Sequence, residues 1–255
     1  MKKLEVIKIG GKVIDNKEHL AAVLYAFAKI KGPKILVHGG GSKASEMEKI
    51  LGLTPNMAEG RRITDAQSLE VVTMVYAGLI NKNIVAGLQA NGCNAIGLSG
   101  ADANVICSQK RPLKLIDYGF VGDVKSVNSN FISKLAEAGL TPVFSAITHD
   151  GNGQLLNTNA DTMAAEIATA MSARYEVALT LAFEKSGVLD AKGNVIEKIT
   201  EAKFSQLKEE KVIIDGMIPK LSNAFDALRN GVKEVRLTSA EYLTNKKLTY
   251  TSVRL

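Results

Sequence analysis

Short β-branched runs alternate with amphipathic helical stretches along most of this 255-residue chain, and that alternation restricts the fold more than any other feature. Leu4–Ile9, Lys34–His38, Asn94–Leu98, Thr141–Ile147, Val177–Ala182 and Glu234–Leu237 read as strands, being apolar runs of strand length. Between them, Lys17–Ile30, Lys43–Leu51, Asp65–Gln89, Ser129–Ala138, Ala160–Ser172, Thr200–Glu209 and Pro219–Arg229 carry helical spacing. The strands are continuous apolar runs rather than alternating ones, as expected where helices cover both faces of a sheet. The pattern predicts an α/β fold, a three-layer αβα sandwich with a mainly parallel central sheet. A hydrophobic content of 46% can fill such a core, and with no Trp and 5% aromatics the packing must be aliphatic. Asp15 with Glu18, and Thr64 with Gln67, have capping-box spacing. Pro219 stands at a first helical position and Gly231 just past that helix's end. Around Leu113–Val127 the pattern changes to a small antiparallel excursion with a glycine turn, read as a lid beside the site.

Charge and cysteine usage exclude several function classes. The net charge of +6 is spread over scattered Lys and Arg, and aromatics are too sparse for a base-stacking surface. An anionic small molecule fits better than nucleic acid. Cys93 and Cys107 form no C-x-x-C pair, which argues against a zinc site or a disulfide framework. Met1-Lys2-Lys3 leads straight into a strand with no secretory pattern. No apolar run reads as long enough to cross a membrane. The expectation is a soluble cytoplasmic protein with neither membrane nor nucleic-acid partners.

Glycine turns mark the strand ends. Lys8-Ile9-Gly10-Gly11 closes the first strand and His38-Gly39-Gly40-Gly41 closes the second. Such turns let backbone approach a ligand and leave N–H groups unscreened, and the crevice beyond strand C-termini is where open α/β sheets bind ligands. Neither is a Walker loop or a dinucleotide fingerprint. Asn157-Thr158-Asn159-Ala160-Asp161 opens a helix with two amides and one carboxylate. Asn159 as an N-cap and Asp161 as a macrodipole partner account for these residues structurally; anchoring lysines or a metal accounts for them functionally. Asp215-Gly216-Met217-Ile218-Pro219-Lys220 places a lysine in the first turn of a helix, against the favourable sense of the dipole.

Taken together, Lys8-x-Gly10-Gly11, His38-Gly39-Gly40-Gly41, Gly60-Arg61-Arg62-Ile63-Thr64, Asn157-x-Asn159-Ala160-Asp161 and Asp215-Gly216-Met217-x-x-Lys220 resemble, in order and spacing, the N-acetylglutamate kinases of the amino acid kinase superfamily. The resemblance runs over essentially the whole chain. It implies one amino acid kinase domain over 1–255, with an N-acylglutamate-binding and dimerisation lobe over about 1–174 and an ATP-binding lobe over about 175–255. It implies transfer of the γ-phosphoryl group of ATP to the γ-carboxylate of an N-acylglutamate, with Mg²⁺ carried by the nucleotide and no dedicated metal cage. Lys8 and Lys220 would stabilise the transferred charge, with Asp161 holding both ammonium groups. Gly40, Gly41, Arg62, Asn157 and Asn159 would bind the acylglutamate, Arg62 gripping its α-carboxylate. Gly10, Gly11, Lys185, Asp215, Gly216 and Met217 would face the nucleotide, Lys185 standing either as a phosphate contact or as a solvated loop lysine. A carboxylate nucleophile is already ionised at neutral pH, so no general base is needed, and His38 reads as structural.

The resemblance is incomplete at two places. Ala182-Phe183-Glu184-Lys185-Ser186-Gly187-Val188-Leu189 stands where the family carries an Asp-Val-x-Gly-Val-like loop, so adenine and ribose contacts do not carry over. The C-terminal Tyr250–Leu255 lacks the family's Gly-Thr-Arg ending. Starting at its first strand, the chain lacks the extra N-terminal helix of arginine-inhibited members, which implies an arginine-insensitive homodimer built on the Ser68–Gln89 region. N-succinyl-L-glutamate in place of the acetyl substrate, or another acceptor within the superfamily, are the alternatives.

Overall fold

A computed structural model describes residues 1–214 and 216–255; Asp215, expected on the nucleotide side, lies outside the described residues. Eight strands form the central sheet in the spatial order Lys198–Ile199, Thr251–Val253, Glu234–Ser239, Glu176–Phe183, Lys3–Ile9, Lys34–His38, Thr141–Ser145, Ala95–Leu98. Glu234–Ser239 through Ala95–Leu98 run parallel, while Thr251–Val253 pairs antiparallel to Glu234–Ser239. The first strand sits in the middle, with Lys34–His38 on one side and Glu176–Phe183 on the other. The chain winds outward one way and returns to wind the other way, so the strand order reverses beside Lys3–Ile9. That is where ligands bind in open parallel sheets.

The core is aliphatic, as the composition requires. Leu4, Val6, Ile7 and Ile9 of the first strand are buried with Ile35, Leu36 and Val37 of the second. Both faces of these strands are apolar because helices cover both. Helix Ala160–Ser172 presents Met163, Ala164, Ile167, Ala168 and Met171 to this core and packs against helix Met217–Arg229.

Several local expectations need correction. Thr141–Ile147 is two strands, Thr141–Ser145 in the central sheet and Ile147–His149 in a second one. That second sheet closes Ile106–Lys110, Val121–Val127, Ile147–His149 and Leu155–Thr158 into a small barrel. The antiparallel excursion is therefore wider than Leu113–Val127: its hairpin pairs Ile106–Lys110 with Val121–Val127. Asn157 lies within the strand Leu155–Thr158 rather than on a turn. Two helix starts shift by one residue. Asn16 accepts from the His19 N–H in place of an Asp15 cap, and Asp65 accepts from the Ser68 N–H in place of Thr64. The last long helix begins at Met217, which makes Pro219 its third residue, still within the turn whose N–H groups lack intrahelical partners.

Ala66–Thr73, Met74–Ile80 and Asn81–Ala90 form one continuous helix whose middle segment is a π turn. By length and composition Ala66–Ala90 is apolar enough to cross a membrane, contrary to the expectation that no run is. Its inner side, with Leu69, Val72, Val75, Ile84 and Leu88, is buried in the core of this domain.

Candidate active site

A cleft of about 410 Å³ opens at the reversal of strand order, and all of its lining residues lie between Lys8 and Asp161. Lys8 is the penultimate residue of the central strand, paired with Val37 and Leu181 on its two neighbours. Asp161 is in the first turn of helix Ala160–Ser172 and Lys220 in that of Met217–Arg229. An Asn223 Nδ2–Thr162 Oγ1 hydrogen bond of 3.0 Å ties these two helix starts together.

The three charges meet. Lys8 Nζ lies 2.9 Å from Asp161 Oδ1, and Lys220 Nζ pairs with Asp161 Oδ2. One carboxylate thus gives one oxygen to each ammonium. Burial opposes ionisation of Asp161, yet the two lysines outweigh it and hold the carboxyl well below the usual range. Burial pushes the Lys220 ammonium down and Lys8 adds to this, with Asp161 acting in the opposite direction. The Phe183 ring centroid is 5.6 Å from Lys220 Nζ, within cation–π range. Net charge over the three groups is +1; Lys8 and Asp161 line the cleft, which two glycine turns and the Ala160 helix start also border, and Lys220 is joined to it through Asp161.

His38 is neutral. Its imidazole is fully buried, and that burial pushes it down to about 4. Nδ1 lies 2.8 Å from the Gly39 carbonyl and Nε2 3.1 Å from Asn81 Nδ2, so the ring holds the glycine turn in shape, as the sequence suggested. Gly40 has a steric reason to be glycine, since a Cβ there would collide with Ile80 Cδ1 and Tyr76 Cδ1. Both come from the π turn Met74–Ile80.

Of the remaining expected site residues, Gly11, Gly40, Gly41, Arg62, Asn157 and Asn159 line the cleft. Asn159 also caps its helix, accepting from the Thr162 N–H at 3.0 Å, so the structural account of it holds. Asn157 Nδ2 donates to Thr64 Oγ1 at 3.0 Å. Gly10 is the residue before the short helix Gly11–Asp15, and a Cβ on it would come within 3.9 Å of Lys8 Nζ. Lys185 and Gly216 are exposed and Met217 is half-buried; none of the three reaches the cleft.

The arginine is more constrained than the sequence implied. Arg62 pairs with the buried carboxylate of Glu48, and its Nη2 donates to the Gly41 carbonyl at 3.0 Å and to Ser45 Oγ at 2.7 Å. Glu48 was missed. Its signal is an acid one turn beyond Ala44 on the buried face of helix Gly41–Ile50, a place that demands a cation. Tyr76 was also missed, concealed in the apolar stripe of its helix; burial pushes its phenol up, with Arg62 opposing. Arg61 and Arg111 complete the cationic lining.

Residues 3–239 match the sequence profile of the amino acid kinase family. An acetylglutamate kinase of Cytophaga hutchinsonii is 55% identical over 95% of this chain and 94% of its own length. One from Bacteroides thetaiotaomicron is 52% identical over 96% of each. Among solved structures, smu.665 from Streptococcus mutans superposes with a TM-score of 0.81 at 28% identity, over 99% of both chains.

Proposed function

The chain belongs to the amino acid kinase family, among its acetylglutamate kinases, and from that premise we propose that its cleft presents N-acetyl-L-glutamate to the γ-phosphate of ATP. The enzyme is a phosphotransferase with a carboxyl group as acceptor, acting in arginine biosynthesis. One γ-carboxylate oxygen attacks the γ-phosphorus, the bond to the β,γ-bridging oxygen breaks, and ADP leaves with that electron pair. No proton changes hands, which agrees with a cleft whose nearby histidine is neutral and buried.

The observation that carries this reading is the Lys8–Asp161–Lys220 cluster. An anion attacking a polyanion needs positive charge fixed where the transferred oxygens gather charge. Asp161 positions both ammonium groups without spending itself on the phosphoryl group, because each of its oxygens is already engaged. That also leaves it unsuited to ligate Mg²⁺, which would arrive on the phosphate oxygens of ATP. We place the acylglutamate against residues of about 1–174, which supply the whole cleft lining, and ATP against about 175–255. Gly10, Gly11 and Gly40 would donate backbone N–H bonds to phosphate or to the reacting carboxylate. Arg62, with Gly41, Asn157 and Asn159 beside it, would receive the acylglutamate. Gly216 and Met217 would reach the nucleotide only where it extends beyond the cleft.

A second reading, N-succinyl-L-glutamate, is favoured by one observation. Arg61 lines the same cleft, and an acetyl group has no charge for it to meet, whereas Arg111 there is already paired with Asp123. ADP release measured with N-acetyl-L-glutamate, N-succinyl-L-glutamate and free glutamate tests both readings. Turnover on the acetyl compound supports the first, and preference for the succinyl compound the second. Turnover on neither removes the acylglutamate assignment.

We further propose a homodimer through the Ala66–Ala90 helix, where Met74 and Leu79 are 56% and 43% exposed. Five residues apart in a π turn, they share a face. Light scattering should give a dimer that Met74→Glu with Leu79→Glu dissociates. A monomeric or hexameric wild type contradicts this.

A further inference from the structure

Thr64 is fully buried and lies outside the cleft lining, yet it touches three segments that build the cleft. Its N–H donates to the Tyr118 carbonyl at 3.0 Å, and its carbonyl accepts from the Phe120 N–H at 2.7 Å. Gly119, at φ +68°, passes so close that a Cβ would collide with the Thr64 carbonyl. Backbone bonds therefore hold Thr64 in place, leaving its hydroxyl to face Arg62 and Asn157.

Asn157 Nδ2 donates to Thr64 Oγ1 at 3.0 Å, and the Arg62 carbonyl, 3.4 Å from that oxygen, is open to the hydroxyl's own proton. Thr64 Oγ1 is thus the acceptor in its contact with Asn157. The NH₂ is turned inward to Thr64, and Oδ1, without a protein partner among the described residues, is left toward the cleft that Asn157 lines.

We propose that Thr64 is a positioning residue which holds Asn157 as a hydrogen-bond acceptor, so that the site selects a ligand carrying an N–H beside its α-carbon. This rests on the acylglutamate reading and refines it. Asn157 takes the amide N–H of the acyl group and not the α-carboxylate, which would set two acceptors against each other. Apart from the acceptor itself, the preference for an amide over an ester comes from a threonine the ligand never meets.

The test compares N-acetyl-L-glutamate with α-acetoxyglutarate, in which oxygen replaces the N–H, by ADP release from the full chain. The wild type is expected to show a KM about tenfold lower for the amide, the value of one hydrogen bond set against an unpaired acceptor pair. Thr64→Val keeps the shape and frees Asn157 to rotate, so the amide KM should rise about tenfold and the amide-to-ester ratio fall toward one, with kcat within about twofold. Thr64→Ser should restore the ratio. A wild-type ratio near one, or a Thr64→Val variant that raises both KM values in equal proportion, overturns the proposal. If Thr64→Val fails to fold, Thr64→Ala, which also removes the hydroxyl, should show the same fall in the ratio, and an unchanged ratio in it overturns the proposal. Turnover of neither compound removes the acylglutamate reading and this inference with it, whereas equal turnover of both removes this inference alone.

Discussion

Lys8→Met should lower kcat by about three orders of magnitude, as expected for loss of a fixed charge at the transferred phosphoryl group. Methionine has nearly the length of the lysine stem and fills the space among the strand ends without the ammonium. Because Lys8 is the penultimate residue of the central strand, with a partner on each side, the backbone has no freedom to move another cation into its place. The KM for N-acetyl-L-glutamate should change only a few-fold, since the charge it stabilises develops mainly in the transition state. ADP release and the thermal midpoint, measured together, check this. An activity loss of less than about tenfold in a folded variant would mean that Lys8 does not face the transferred group. Lys8→Arg should rescue poorly, because a planar guanidinium cannot occupy the position of a point ammonium 2.9 Å from Asp161.

Asp161→Asn is expected to damage both stability and rate, and to change how the rate depends on pH. Removing one member of a buried charge cluster leaves two ammonium groups facing each other unpaired, at a cost of about 3 kcal/mol. The sign of the pH effect follows from the cluster. Asp161 is held below its unfolded value, near 3.9, so the stability it supplies is complete above that value and lost only as pH falls through the folded one. The stability deficit of Asp161→Asn, on the order of 3 kcal/mol while both ammonium groups are charged, should therefore shrink as pH rises and the variant's Lys220 releases its proton. The rate depends on the same proton. Burial and Lys8 push Lys220 down, and Asp161 is the group opposing them. Without it Lys220 loses its proton at lower pH, so the fall of kcat with rising pH should set in earlier in the variant than in the wild type. Denaturant unfolding and a kcat–pH profile read the two effects separately. A variant profile parallel to the wild type's would show that Asp161 does not hold the Lys220 proton.

Much of the fold was legible because its central strands are long, apolar and flanked by strongly periodic helices. Leu4–Ile9, Lys34–His38, Val177–Ala182 and Glu234–Leu237 each fall within an observed strand. The elements that escaped are those whose pairing is decided far along the chain. Lys198–Ile199 and Thr251–Val253 are too short to show a pattern, and they exist because each pairs with the other at an edge. The barrel was masked because Ala146 continues the apolar run through the point where one sheet gives way to the other. The displaced helix caps have a similar cause. Thr64 and Asp65 can both cap, but the Thr64 hydroxyl is taken by Arg62 and Asn157, so Asp65 does it. In the site, the lysines and Asp161 were legible because each stands at a strand end or helix start with a glycine or amide nearby. Glu48 and Tyr76 were not, as each lies inside a helix whose apolar neighbours conceal its purpose. The nucleotide side was the least legible, since the Phe183–Ser186 segment follows no motif of the family it otherwise resembles.

The central strand acquires one neighbour from residues 34–38 and the other from residues 176–183, and the charges at its tip come from positions 8, 161 and 220. Contacts this distant in sequence form late, because loop closure must precede them. A polypeptide still emerging from a ribosome, or one cut between the two halves, lacks the second ammonium and has an unfinished sheet beneath the first. Such fragments would be silent instead of leaky: they could not split ATP wastefully. On the proposed reading, an activity assay on this chain would count only molecules in which residues 8, 161 and 220 have come together.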